Sequence, residues 1–471
     1  MLVIAGARPE PAGFSVQANG VVNSDRPGIN AHNSPAVAVD PTRPSVIALA
    51  DRIDTPQFSC TLSLSTSSGV TWKQVPFTRA ADAPNCFWPD VAFDGDGRLL
   101  LLYTATGGRE NQPLGVWLQR FDGEQPSGPP VKVAGSEAFH AHLAVSGSKV
   151  VVAYIQTPPA NADRPLGFEP GPNPLMVTRS ADGGVTFAAP VKVSTTERVA
   201  QPSVLFSASG AVVVGALDYN DDVDDYEGRH NGRQGPPPAT TWRVLEWRST
   251  DGGATFSASP AVVADKLPTP QRIVIDLAPG PSFAADPDPS RHRLYAAWDA
   301  GVGDARDVFV SSSTDDGATW SAAVHVGPHA RGQFLPALGV AAADGRVDVV
   351  FYDRSSDPAD ILAKPAVASS WDGGRSFVTG YASQDRFDTR VGNGAPNGVP
   401  QLGNQLAVLS SKDTLLAFWA DTSRGTVDNA VQDLAFASVK PRAEGDRSWP
   451  LMGLGAALGL AAVAVILRKG R

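Results

Sequence analysis

An alternating apolar run, a turn rich in Asp, Gly, Ser or Pro, and a denser apolar run follow one another seven times along the 471-residue chain. The copies begin at Ala36 (AVAVDPTRPSVIALAD), Asp90 (DVAFDGDGRLLLLYT), His142 (HLAVSGSKVVVAYI) and Ser203 (SVLFSASGAVVVGALD), then at Ser282 (SFAADPDPSRHRLYAAWD), Ala337 (ALGVAAADGRVDVVFYD) and Gln405 (QLAVLSSKDTLLAFWAD). Val, Leu, Ile and aromatic residues held between such turns predict antiparallel hairpins. Repetition at this spacing signals a fold whose units bury their apolar faces on one another.

A second signature recurs five times: STSSGVTW at residues 65–72, SADGGVTF at 180–187, STDGGATF at 249–256, STDDGATW at 313–320 and SWDGGRSF at 370–377. The pattern is S-x-D-x-G-x-[TS]-[WF], with Ser67 replacing the Asp in the first copy. It has the chemistry of a β-turn: Ser and Asp bond nearby backbone, Gly supplies positive φ, and the aromatic packs inward. The closing aromatics lie 115, 69, 64 and 57 residues apart, so the first gap holds an extra unit with a decayed copy, placed at Phe121-Asp122-Gly123.

The signature resembles the Asp-box, or BNR, repeat of sialidase-like propellers, and the resemblance covers roughly residues 14–440. It implies an all-β, seven-bladed β-propeller with four-stranded antiparallel blades. Each hairpin then supplies strands one and two of a blade. The resemblance also puts the boxes between strands three and four, on the face opposite the binding site. The last unit ends at a third strand, DLAFASV, so its fourth is expected from FSVQANGVV near the N-terminus, closing the ring without an exposed edge.

Composition adds constraints. Hydrophobic residues at 42% suffice for a large core, and 46 Gly with 40 Pro imply frequent turns and few long helices. A net charge of −9 argues against a nucleic-acid partner. Two cysteines, Cys60 and Cys86, exclude a cysteine-rich metal site. They fall on the same face of adjacent blades, which makes them a disulfide candidate. Residues 1–12, with Ala5-Gly6-Ala7, look like the remnant of a signal peptide. A linker at 441–449 leads to an uncharged stretch at 450–467, long enough for a transmembrane helix, and a basic tail at 468–471. The flanking charges balance, so the expectation of an extracytoplasmic propeller (13–440) with a cytoplasmic C-terminus at the cell membrane rests on the signal remnant.

Antiparallel topology assigns the connections between strands two and three, and four and one, to a single face. Strand two ends there in Asp51, Asp218, Asp299 and Asp353, with Asp421 one position later; Arg52, Arg354 and Arg424 accompany them, with Trp298, Tyr352 and Trp419 alongside. Such a ring suits a carbohydrate or surface-protein ligand, though an acid repeated in most blades also suits a structural strut. Asp51, Asp299, Asp353 and Asp421 are candidate glycosidase carboxylates. Active sialidases carry an Arg-Ile-Pro motif ahead of the first strand; the matching segment here is His32-Asn33-Ser34-Pro35, where Asn33 replaces the arginine. His140 and His142 lack a nameable third metal ligand. The acids Asp221, Asp222, Asp224, Asp225 and Glu227 suit Ca²⁺ or a solvated loop, without an EF-hand pattern. Three functions follow: a surface propeller binding glycan or protein, a glycoside hydrolase, or a structural envelope component.

Overall fold

Each apolar hairpin forms the first two strands of its own sheet. The computed structural model describes residues 13–24, 31–107, 112–157, 173–194, 199–220, 241–268, 280–302, 305–327, 332–392, 401–429 and 431–443. Blade one comprises His32–Val39, Ile47–Ile53, Ser59–Ser65 and Lys73–Gln74. Blade two comprises Asn85–Phe93, Leu99–Gly107, Gln112–Asp122 and Val131–Ala134. Blades three and four begin at Ala138–Ser146 and Val199–Phe206, and their third strands are Leu175–Ser180 and Trp242–Ser249. Blades five and six begin at Ser282–Ala285 and Gln333–Val340, with third strands Ala305–Ser313 and Leu362–Ser370. Blade seven joins Ala407–Ser410, Leu415–Asp421 and Asp433–Arg442 to Gly13–Val21 from the other end of the chain, as the unpaired N-terminal strand predicts. Asn23 reinforces that seam, donating to Asp433 Oδ1 at 3.0 Å and accepting the Leu434 amide at 2.8 Å.

First strands of successive blades touch in a closed cycle, which puts strand one innermost. The core is divided into seven wedges, one per blade interface. Leu101 and Tyr103 of blade two face Ala48, Leu62 and Leu64 of blade one, while Leu100 and Leu102 of the same strand face Leu143 and Val150 of blade three. A strand covered on both faces has no polar side, which explains why the second strands are dense apolar runs. Leu99–Gly107 is buried at every position.

The boxes lie between strands three and four. In the second, Ser180 Oγ donates to Asp182 Oδ1 at 2.7 Å and accepts the Gly184 amide at 2.9 Å; Asp182 Oδ1 accepts the Val185 and Thr186 amides at 3.0 and 2.9 Å. Asp251 and Asp372 repeat this network in blades four and six. These bonds hold the Asp182 carboxyl well below its ordinary range, the Thr186 hydroxyl contributing most. Gly184 has φ +80°, and a Cβ there would lie 2.3 Å from Leu118 of blade two. Each box therefore seals the wedge toward the preceding blade, and Trp72 does so against Phe418 of blade seven, with centroids 5.7 Å apart.

One position breaks the repeat. Three residues before the box serine, the third strand carries Leu62, Val177, Val310 and Val367, all buried, but blade four carries Glu246. Glu246 is 2% exposed, and its Oε1 has no hydrogen-bond partner among the described residues. A Cβ on Gly317, in the next blade's box, would lie 3.1 Å from that carboxyl. Burial pushes its pKa up to about 8, opposed by the charge of Arg248 and the indole N–H of Trp320.

The first strands start earlier than the hydrophobic pattern indicates: at His32, Asn85, Ala138, Val199 and Gln333 instead of Ala36, Asp90, His142, Ser203 and Ala337. In each of these five blades a register shift interrupts the strand. The residue in the bulge is left-handed: Ser34, Trp88, His140, Gln201 and Leu335 have φ between 48° and 54°. Pro35, Pro89, Pro202 and Pro336 follow four of them, tolerated because a bulge releases the backbone from the ladder. Phe14–Pro441 forms one compact unit. No helix among the described residues is long and apolar enough to cross a membrane. The signal-like residues 1–12, the acids 221–227, the stretch 450–467 and the tail 468–471 lie outside them.

Candidate functional site

The connections from strand two to three and from strand four to one share a face, and the candidate residues fall on it in two groups. The first is a series of arginine–aspartate pairs, one in each of five blades. Arg243 Nε donates to Asp218 at 2.9 Å in blade four, and Arg306 to Asp299 at 2.9 and 2.6 Å in blade five. Arg354 lies 3.4 Å from Asp360 in blade six, and Arg424 Nε donates to Asp433 at 2.5 Å in blade seven. In blade one, Arg52 meets Asp54 at 2.5 and 3.0 Å, reaches Asn404 Oδ1 at 2.7 Å and lies 4.3 Å over the Phe87 ring. It thus spans blades seven, one and two.

In blades four and five strand two supplies the acid and the start of strand three the arginine, so the pair pins the connection between them. Most of the pairs are deeply buried. Asp218, Arg306 and Arg354 are 0%, 2% and 0% exposed, whereas the Arg424 side chain is 61% exposed. Burial raises the Asp299 pKa despite Arg306. Asp51 accepts from His32 and Thr61, and Asp353 accepts the Ser355 amide at 2.8 Å and the Tyr381 hydroxyl at 3.0 Å. Trp298, Tyr352 and Trp419 fill wedges, and the Tyr352 hydroxyl bonds both backbone groups of Ala420 at 3.0 Å. Half-exposed Asp421 takes the Trp419 indole N–H at 3.2 Å.

Asn33, at the position of the sialidase arginine, is fully buried. Its amide donates to Asp54 Oδ2 at 2.9 Å and to the Ala31 carbonyl at 3.0 Å. It therefore shares an acid with Arg52 and presents no charge to the face.

The second group is aromatic and was missed in the hydrophobic pattern. Phe58 meets Phe87 edge-on at 4.9 Å, and Phe87 stacks on Phe139 at 5.5 Å. His140 lies between Trp88 and Phe139, at centroid distances of 4.0 and 4.3 Å. Phe58, Phe87, Phe139 and His140 are half-buried, and Trp88 is buried. Left-handed non-glycine residues cost roughly 1–3 kcal/mol each and gather at functional sites. Two of the five bulge residues, Trp88 and His140, belong to this cluster. The signal available in the sequence was the recurring pair of residues before a strand-one proline: Asn33-Ser34, Phe87-Trp88, Ala200-Gln201 and Phe334-Leu335, matched by Phe139-His140 ahead of Ala141.

The two histidines have separate surroundings. His142 accepts from Trp88 Nε1 at 2.8 Å and donates through Nδ1 to Asp90 at 3.1 Å, which employs both nitrogens. His140 has its pKa driven far down, by burial first and then by His142 and Arg52, so it is a neutral imidazole. No group of three or more metal-ligating residues occurs among the described residues. Cys60 and Cys86 form a disulfide between blades one and two, with Cα atoms 5.5 Å apart. A cavity of about 490 Å³ beside it is lined by Ser59, Phe77, Thr78 and Arg79.

No family model matches the chain. It is 28% identical over 231 residues to a sialidase of Bacteroides fragilis, a match covering 41% of this chain and only 40% of that protein. Solved structures of other proteins share the fold. A Dyadobacter fermentans protein of unknown function is 15% identical with TM-score 0.51, over 91% of this chain and all of that one. A polysaccharide lyase of family PL25, an ulvan lyase bound to a GlcA–Rha3S saccharide, is 14% identical with TM-score 0.52, over 91% of this chain and 99% of the lyase. The chain is thus similar in part to a sialidase and has the all-β, seven-bladed propeller fold of these structures.

Proposed function

We propose that this protein is a membrane-anchored, extracytoplasmic propeller that recognises carbohydrate on the face formed by the two-to-three and four-to-one connections. The observation that carries the reading is the half-buried aromatic cluster on that face, on a fold shared with a saccharide-bound lyase. Aromatic faces stack on the C–H surfaces of sugar rings while their edges pack into protein. Of the arginine–aspartate pairs, the one in blade one meets the cluster, with Arg52 4.3 Å over the Phe87 ring. Among the residues picked from the sequence, Asp421 and Arg424 are the two that a ligand meets without opening a deeply buried pair. Anchoring rests on the uncharged stretch at 450–467 and the basic residues after it.

A second reading, glycoside cleavage, draws support from the sialidase relative and from the carboxylates Asp51, Asp299, Asp353 and Asp421. Recognition is preferred because Asn33 removes a carboxylate-clamping arginine and three of those four acids are buried and bonded. Glycan-array binding by the full chain, run beside glycosidase and lyase assays on the glycans it binds, separates the two. Binding without turnover supports recognition, turnover supports cleavage, and the absence of both overturns the carbohydrate reading. Release of the propeller from intact cells by added protease tests the orientation; protection until lysis overturns it.

A further inference from the structure

Resting on that carbohydrate reading, we propose that the aromatic cluster of blades one to three binds an uncharged sugar ring, with His140 Nδ1 hydrogen-bonding one of its hydroxyls. The guanidinium that covers the cluster is already paired. Arg52, which covers Phe87, gives its Nε and one terminal nitrogen to Asp54 and the other to Asn404. Arg243, Arg306, Arg354 and Arg424 each face an acid of their own blade. A sugar carboxylate would have to displace one of these acids, most of them buried, before gaining a cation. Displacement leaves an acid unpaired in a low dielectric, which is strongly unfavourable. Arg79 donates to Ser59 Oγ at 3.5 Å and lines the cavity beside the disulfide.

His140 is the positive half of the case. Its Nδ1 is buried without a hydrogen-bond partner among the described residues. The ring is held in a left-handed bulge between Trp88 and Phe139. Buried polar atoms in native proteins nearly always have partners, so an unmatched one beside half-buried aromatic rings marks where a ligand group completes the set. A neutral imidazole suits a hydroxyl, which both donates and accepts, better than a carboxylate, which needs a cation or several donors.

The test is calorimetric titration of the full chain with matched pairs: lactose against 3′-sialyllactose, and xylohexaose and arabinohexaose against hexagalacturonate. Binding of at least one neutral member, with its acidic counterpart tenfold weaker or more, is expected. His140→Ala is expected to weaken the neutral ligand about tenfold, the value of one ordinary hydrogen bond, and Phe139→Ala by about as much through loss of a stacking ring. His140→Asn, which tolerates left-handed φ and keeps an amide, should recover part of the loss. Tighter binding of the acidic members overturns this inference and leaves the carbohydrate reading intact. Unchanged neutral binding in variants that keep the parent melting temperature also overturns it. Failure of every neutral and acidic sugar, here and on the array, removes the carbohydrate reading and this inference with it.

Discussion

Glu246→Gln isolates one buried carboxyl with almost no change in shape. Glu246 occupies a wedge position that is Leu or Val in four other blades, and its pKa of about 8 compares with an ordinary 4.5. The folded pKa is raised, so the fold prefers the protonated acid. Its contribution is fully present below about pH 4.5, declines as pH rises, and is exhausted once pH passes the folded value near 8. At roughly 1.4 kcal/mol per pH unit, the whole decline amounts to about 5 kcal/mol. Glutamine cannot ionise, so the variant avoids the decline. Chemical unfolding of both proteins from pH 5 to 9 should show a gap below about 1 kcal/mol at pH 5 that widens to several kcal/mol near pH 8. The melting temperatures should diverge in the same order. A gap that stays constant across this range would refute the assignment, because only ionisation of Glu246 predicts its growth.

The remaining expectations concern the frame. Cys60→Ser, which opens a disulfide joining residues 26 apart, should lower stability by about 3 kcal/mol, and mass spectrometry of unreduced exported protein should find no free thiol. Deleting residues 13–24 strips the outer strand from blade seven, so the melting temperature should drop; an unchanged value would disprove the closure. Asp299→Ala leaves the Arg306 guanidinium buried without its acid, and denaturant titration should register a loss of roughly 3–5 kcal/mol.

Hairpins and boxes were legible because each repeats a local rule. Dense second strands such as LLLLYTATG announce a sheet covered on both faces, and S-x-D-x-G spells out the bonds that Ser180 and Asp182 make. The unpaired FSVQANGVV segment likewise foretold the seam in blade seven. The ring of acids was visible in outline only. Counting placed Asp218 and Asp299 at the ends of strand two, but their partners, Arg243 and Arg306, stand across a connection and follow no fixed spacing. The aromatic cluster was hidden for a different reason. Phe87, Trp88, Phe139 and His140 precede the regular alternation, and a bulge turns their side chains by an amount no period-two pattern encodes. Glu246 stood in plain sight as an acid in an apolar column, but its meaning depends on the glycine of the neighbouring blade that covers it.

The seam in blade seven also sets a clock on synthesis. Asn23 and Leu434, which bond across it, are 411 residues apart in sequence. At ribosomal rates of roughly 5–20 residues per second, the outer strand is made some 20–80 s before its partner exists. For that interval Gly13–Val21 is an edge without a sheet, and the preceding six blades form an open arc rather than a ring. Edges of this kind recruit strands from other chains. Two nascent copies held side by side are therefore set to trade N-terminal strands, each closing the other's arc, and the yield of monomer should fall as translation becomes more crowded.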